Sequence, residues 1–95
     1  MDNRLMEMER RYRELEELLS MPDVLSDQQR FKSLTKELSM LSPVMSKYQE
    51  LKKLRRELDD SKELLETEKD QDMRGLLSSE VDGLEEKLGA LDEQL

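Results

Sequence analysis

Residues 26–48, SDQQRFKSLTKELSMLSPVMSKY, decide the fold. Within them Phe31, Leu34, Leu38, Leu41, Met45 and Tyr48 recur at steps of three and four. Side chains spaced in this way share one face of an α-helix, whereas a strand would need alternation at every second position. The run also opens with a start signal. The Ser26 hydroxyl can accept from the Gln29 amide while the Gln29 side chain reaches back, a capping box, and Asp27 places negative charge at the positive end of the helix dipole. After Tyr48 the stripe slips by one position and continues through Leu51, Leu54, Leu58 and Leu65, with Ser61 or Lys62 standing where an apolar residue is expected. The spacing predicts a helix over 27–67, which if unbroken is roughly 60 Å long at about 1.5 Å per residue. Pro43 leaves two readings. Ser42 could cap a new helix with Pro43 at its first position, where the missing amide costs nothing. Alternatively the helix continues with a kink and one hydrogen bond fewer. The unbroken phase from Phe31 to Tyr48 favours the kink, near residues 42–43.

Towards the N-terminus, Leu5, Met8, Tyr12, Leu15 and Leu19 form a second stripe, widened by Leu18, which predicts a helix over 2–20. Ser20-Met21-Pro22-Asp23 interrupts it, since proline disfavours helix in the residue before it and donates no backbone bond. Val24 and Leu25 are expected to tuck under this connection. Towards the C-terminus, Asp70 is a good N-cap, with Asp72 in the first turn. Met73, Leu77, Val81, Leu84, Leu88, Leu91 and Leu95 then predict a helix over 71–95, with a heptad pattern from Leu77 onward. Gly75, Gly83 and Gly89 each weaken that helix by up to about 1 kcal/mol relative to Ala, so it needs a surface to pack on. The expected fold is all-α: one domain over 1–95, an elongated antiparallel three-helix bundle or pair of helical hairpins with coiled-coil-like packing. The long kinked helix would be its spine, with the first and third helices antiparallel on its two halves at crossing angles near about +20°.

Composition agrees. Charged residues make up 42% of the 95 residues and aromatics 3%, with 19 Leu and 7 Met but no Ile, Trp, His or Cys. The strand-favouring residues are scarce. Lack of Cys and His excludes thiolate chemistry, disulfides, the usual zinc sites and a histidine base. No run approaches the roughly 18 apolar residues of a membrane span, and no signal-peptide core is visible, so a cytoplasmic protein without membrane contact is expected. Net charge is −8, spread as −2, 0, −1 and −5 over residues 1–20, 21–41, 42–68 and 69–95. An acidic chain repels phosphate backbones on average. The local exceptions are Arg10, Arg11 and Arg13, and then Lys52, Lys53, Arg55 and Arg56. Each run has acids four residues on (Arg10 to Glu14, Arg13 to Glu17, Lys53 to Glu57, Arg55 to Asp59, Arg56 to Asp60), as a solvated helix face would. Tyr48 with Lys52, Lys53, Arg55 and Arg56 is the one combination resembling an RNA or partner contact.

No chemical site emerges. Asp59-Asp60, Asp70-x-Asp72 and Glu85-Glu86 lack the turn and ligand spacing of a calcium loop. The glycines form no phosphate-binding loop, and Ser78-Ser79 has no histidine to activate it. No catalytic residue, metal ligand or cofactor is expected, and the chain is not expected to be an enzyme.

The order of segments resembles the start of bacterial class I peptide chain release factors. The resemblance rests on residues 18–31, LLSMPDVLSDQQRF, then Leu34-x-x-Glu37-Leu38-x-x-Leu41-Ser42-Pro43-Val44, Tyr48-x-x-Leu51-Lys52-Lys53-Leu54, and Asp70-Gln71-Asp72-Met73-Arg74. Gln71 stands where that family usually has proline. The spacing is most similar to the type reading UAA and UAG. The resemblance implies an N-terminal helical domain that projects towards the ribosomal stalk base and GTPase-associated centre and communicates with the class II release factor, a GTPase. Peptidyl-tRNA hydrolysis in that family depends on a Gly-Gly-Gln loop and stop-codon reading on a Pro-x-Thr tripeptide; neither occurs in this sequence. The decoding and catalytic domains are therefore expected to lie downstream and outside this chain, and the isolated domain would expose apolar surface through which self-association, by the stripe of the third helix, is open to it. The competing expectation is a stand-alone coiled-coil scaffold or adaptor.

Overall fold

The apolar stripes fold as helices in the computed structural model, which describes residues 3–95. Four helices follow in order: α1 (Asn3–Leu18), α2 (Pro22–Leu25), α3 (Gln28–Thr67) and α4 (Gln71–Gln94), with no strand among the described residues. The expected helix over 2–20 starts at a position outside the described residues, and α1 stops at Leu18 rather than continuing to residue 20. There the Ser20 and Met21 amides turn back to the Glu17 and Leu18 carbonyls, both at 3.1 Å. Contacts divide the chain into two compact units, Met1–Ser46 and Lys47–Leu95.

In the first unit, α1 packs on the N-terminal part of α3. Leu5, Leu15, Val24 and Met45 are buried, Leu15 and Val24 completely. Pro22 begins a short helix that the sequence reading did not anticipate. Pro22 is its first residue, where the missing amide is no loss, and Met21 before it is extended at φ −80 and ψ 134. Of the two residues expected under this connection only Val24 is enclosed, while Leu25 is 54% exposed.

The expected capping box at Ser26 is not formed. The Ser26 hydroxyl donates to the Asp23 carbonyl at 3.1 Å, closing α2. Asp27 caps α3 instead, its Oδ1 accepting from the Arg30 amide at 3.1 Å. The extra helical turn at Pro22–Leu25 moves the start of α3 one residue on, and a carboxylate at that position satisfies an amide while complementing the dipole. Pro43 lies inside α3, which passes through it unbroken, so the reading in which Ser42 caps a separate helix is overturned. Proline supplies no donor, and the Ser39 carbonyl loses the amide that would normally meet it.

In the second unit, α4 runs antiparallel to the C-terminal part of α3. Arg55 reaches Asp92 at 3.7 Å and Lys62 reaches Glu85 at 3.5 Å, so an advance along α3 is matched by a retreat along α4. Tyr48, Leu51, Leu77, Leu84 and Leu91 are buried, and Ser61, only 5% exposed, occupies the gap in the leucine stripe. Asp70 is the N-cap residue, extended at φ −72 and ψ 123, but its side chain makes no capping bond. The turn is closed from the other side. Arg74 Nη1 donates to the Leu65 and Glu68 carbonyls at 2.8 and 2.9 Å, satisfying acceptors that the end of α3 leaves over.

Two stability measurements follow from this packing. Leu51→Ala should cost about 2–5 kcal/mol in urea unfolding, whereas Leu76→Ala, at a side chain 67% exposed, should shift stability by no more than about 0.5 kcal/mol. Pro43→Ala should raise stability by up to about 3 kcal/mol, because it restores the backbone bond and removes the ring from the helix interior. A loss of stability on that substitution would mean that the proline is required by its surroundings.

Candidate functional site

The candidate contact residues lie on consecutive turns of α3 in the second unit, and most are engaged within it. Tyr48 is 3% exposed, and the Lys52 ammonium stands 4.6 Å from its ring centroid. This cation–π contact covers the ring, so Tyr48 offers no open face on which a base could stack. Lys53 pairs with Glu57 at 4.0 Å, as the spacing predicted. Arg55 reaches across to Asp92 on α4 rather than along its own helix to Asp59. Arg56 is exposed and joins none of the ion pairs among the described residues. The geometry therefore leaves Lys53 and Arg56 facing water, with Lys52 and Arg55 turned to neighbours. The Lys53–Glu57 and Arg55–Asp92 pairs join side chains that are 42–71% exposed, and ion pairs of this kind contribute little to stability.

The arginine run on α1 is rearranged as well. Arg10 pairs with Glu7 and Arg13 with Glu9, each towards the preceding turn rather than the following one. Arg11, assigned no partner by the i,i+4 rule, makes a two-pronged contact from α1 to α3. Its Nε and Nη2 donate to the two carboxylate oxygens of Glu37 on α3 at 2.5 and 2.9 Å, while Nη1 donates to Glu14 at 2.9 Å. A guanidinium fork matched to both oxygens of one carboxylate fixes relative geometry as well as supplying attraction. Hydrogen bonding from Arg11 holds the Glu37 carboxyl below the ordinary glutamate range, against the opposing effect of desolvation, and the same bond raises Arg11 further above neutrality. Next to this pair lies a shallow, largely apolar groove of about 320 Å³ lined by Glu7, Met8, Arg11, Glu37, Met40 and Leu41. The one signal for the pair in the sequence is that Arg11 and Glu37 each flank an apolar stripe; matching them requires the hairpin register.

No group of three or more His, Cys, Asp or Glu that could hold a metal ion is found among the described residues. No described helix is long and apolar enough to cross a membrane.

Comparison with known proteins gives a consistent result. A family model described as the PCRF domain matches residues 8–95. Peptide chain release factor 1 of Syntrophomonas wolfei is 45% identical over 88 residues, 93% of this chain and 25% of that protein. The protein of the same name from Chloroherpeton thalassium is 41% identical over 95 residues, 100% of this chain and 26% of the relative. That from Bacillus licheniformis is 36% identical over 93 residues, 98% and 26% respectively. The chain thus spans about a quarter of the length of the curated relatives it matches. No solved structure gives a significant match.

The ion pair makes a prediction about pH. The Glu37 pKa is lower in the folded chain than in the unfolded one, so the pair contributes stability above the unfolded value and loses it as pH falls. Loss should begin near the ordinary glutamate pKa of about 4.3 and be complete below the folded value. In thermal melts between neutral pH and strongly acid pH, Glu37→Gln should flatten that part of the acid-side decline and lower the melting temperature at neutral pH. An unchanged acid slope in the variant would show that the pair carries no linkage.

Proposed function

This chain belongs to the PCRF domain family, and on that premise we propose that it is the N-terminal helical part of a translation termination factor, a non-catalytic arm that contacts the ribosome. The observation that carries this reading is the family match over residues 8–95, which takes in all but the first five residues of the described helices. The physical character of the chain supports it. Paired helices with small cores and densely charged outer faces suit recognition, where electrostatics governs encounter more than affinity. The sequence contains no histidine, no cysteine and no Gly-Gly pair, so neither a His- or Cys-based centre nor a Gly-Gly-Gln loop is available within these residues.

In this reading the full-length protein directs stop-codon-dependent peptidyl-tRNA hydrolysis in the cytoplasm, with decoding of the UAA and UAG type and catalysis supplied by other domains. The arm meets the stalk base and GTPase-associated centre, and through them the class II release factor. Lys53 and Arg56, the two basic groups of the α3 run that face water, are the proposed points of contact with a polyanion, with Lys52 and Arg55 available once their intramolecular pairs yield. The stand-alone scaffold is the disfavoured alternative, because the family relationship accounts for the order of the motifs as well as for the helical spacing.

Co-sedimentation with purified ribosomes tests the docking role. The chain should pellet with ribosomes above a non-binding acidic control, and more weakly as salt is raised, while releasing no peptide from a programmed termination complex. Charge reversal at Lys53 and Arg56 should reduce pelleting and its salt dependence. Absence of pelleting at low salt would remove the docking role. Release above the buffer rate would overturn the assignment of chemistry to other domains.

A further inference from the structure

We infer that α4 is a detachable strap, which opens from α3 as a unit on the hinge of the α3–α4 turn while α3 stays helical. The inference is independent of the family role.

The first observation concerns glycine. All the glycines of the chain lie in α4, at positions 75, 83 and 89, and none has a positive φ. A Cβ added at any of them would meet nothing within 4 Å. Neither a tight turn nor close packing within the chain accounts for them. Within the chain their effect is on the helix: each lowers the intrinsic stability of α4 relative to alanine, while α3 contains no glycine at all.

The second observation concerns attachment. The buried residues of α4 are Leu77, Leu84 and Leu91, one in each heptad, so its attachment rests on a single row of three leucines among 24 residues. The cross-helix ion pairs, Arg55–Asp92 and Lys62–Glu85, join side chains that are 42–57% exposed, and salt screens such pairs. At the turn the attachment is firmer, because Arg74 on the first turns of α4 donates to two carbonyls at the end of α3. A weak helix held by one narrow leucine stripe, screened charges and a firm hinge is the composition of a low-stability cooperative segment. Opening it presents Leu51, Leu54, Leu58 and Leu65 of α3 to water.

Native-state hydrogen exchange on the whole chain tests this. Amides at 77–88 of α4 should exchange at least about tenfold faster than those at 48–58 of α3, through an opening that leaves the α3 amides protected. Raising salt should speed the α4 amides relative to those of α3. The triple variant Gly75→Ala, Gly83→Ala, Gly89→Ala should slow α4 exchange by about four- to fivefold per glycine and leave α3 unchanged. One shared protection level for α3 and α4, equal slowing of both in the variant, no slowing of either, or an α4 without protection in the native chain would each overturn the inference.

Discussion

The apolar stripe of α3 is the surface on which both units are built. In a chain that is 42% charged and 3% aromatic, a helix can bury enough area only by lying lengthwise against another stripe. α3 supplies Met45 to the core of the first unit and Tyr48 and Leu51 to that of the second. The slip in its stripe just after Tyr48 falls close to the boundary between the units, at Ser46 and Lys47. Over its full length α3 consequently has almost no net amphipathicity, because a stripe that drifts and slips round the helix cancels its own average. Local phase, rather than overall amphipathic strength, directs each helix to its place.

Much of this was legible because spacing is a local property. The stripes in α1, α3 and α4 could be read from steps of three and four, and Asp70 could be recognised as a boundary. The details that escaped depend on competition between neighbouring signals. Ser26, Asp27 and Asp23 are all polar residues able to serve a helix end, and the outcome turned on a short helix that begins at Pro22. Once that helix forms, the Ser26 hydroxyl is used to close it, and Asp27 inherits the start of α3. Pro43 was ambiguous for a similar reason. Its residue type signals a helix start, but its position within an unbroken stripe signals continuation, and burial along the stripe outweighed one backbone bond.

The charged residues were less legible than the apolar ones. The i,i+4 rule found Lys53–Glu57 and missed Arg11–Glu37, Arg55–Asp92 and Lys62–Glu85, all of which bridge different helices. A rule confined to one helix cannot see a partner brought in by hairpin register. The basic run at Lys52–Arg56 shows the practical effect. As a string of letters it suggests a cationic patch beside an aromatic ring; folded, the ring is enclosed beneath Lys52 and Arg55 leans towards α4. The family relationship entered by a different route, through the joint order of soft motifs, each of which taken alone specifies no more than a cap or a leucine.

Ser61 has a consequence for alignment. A continuous ladder of leucines would accept a neighbouring helix displaced by a whole repeat with little loss, since every rung resembles the next. Breaking the ladder with one small hydroxyl-bearing rung makes the repeats inequivalent, and a polar group at such a position is known to select register at some expense of stability. Ser61, only 5% exposed, thus leaves the α3 stripe without translational equivalence, so that a neighbouring helix displaced by one repeat would set a leucine where the native packing has a hydroxyl.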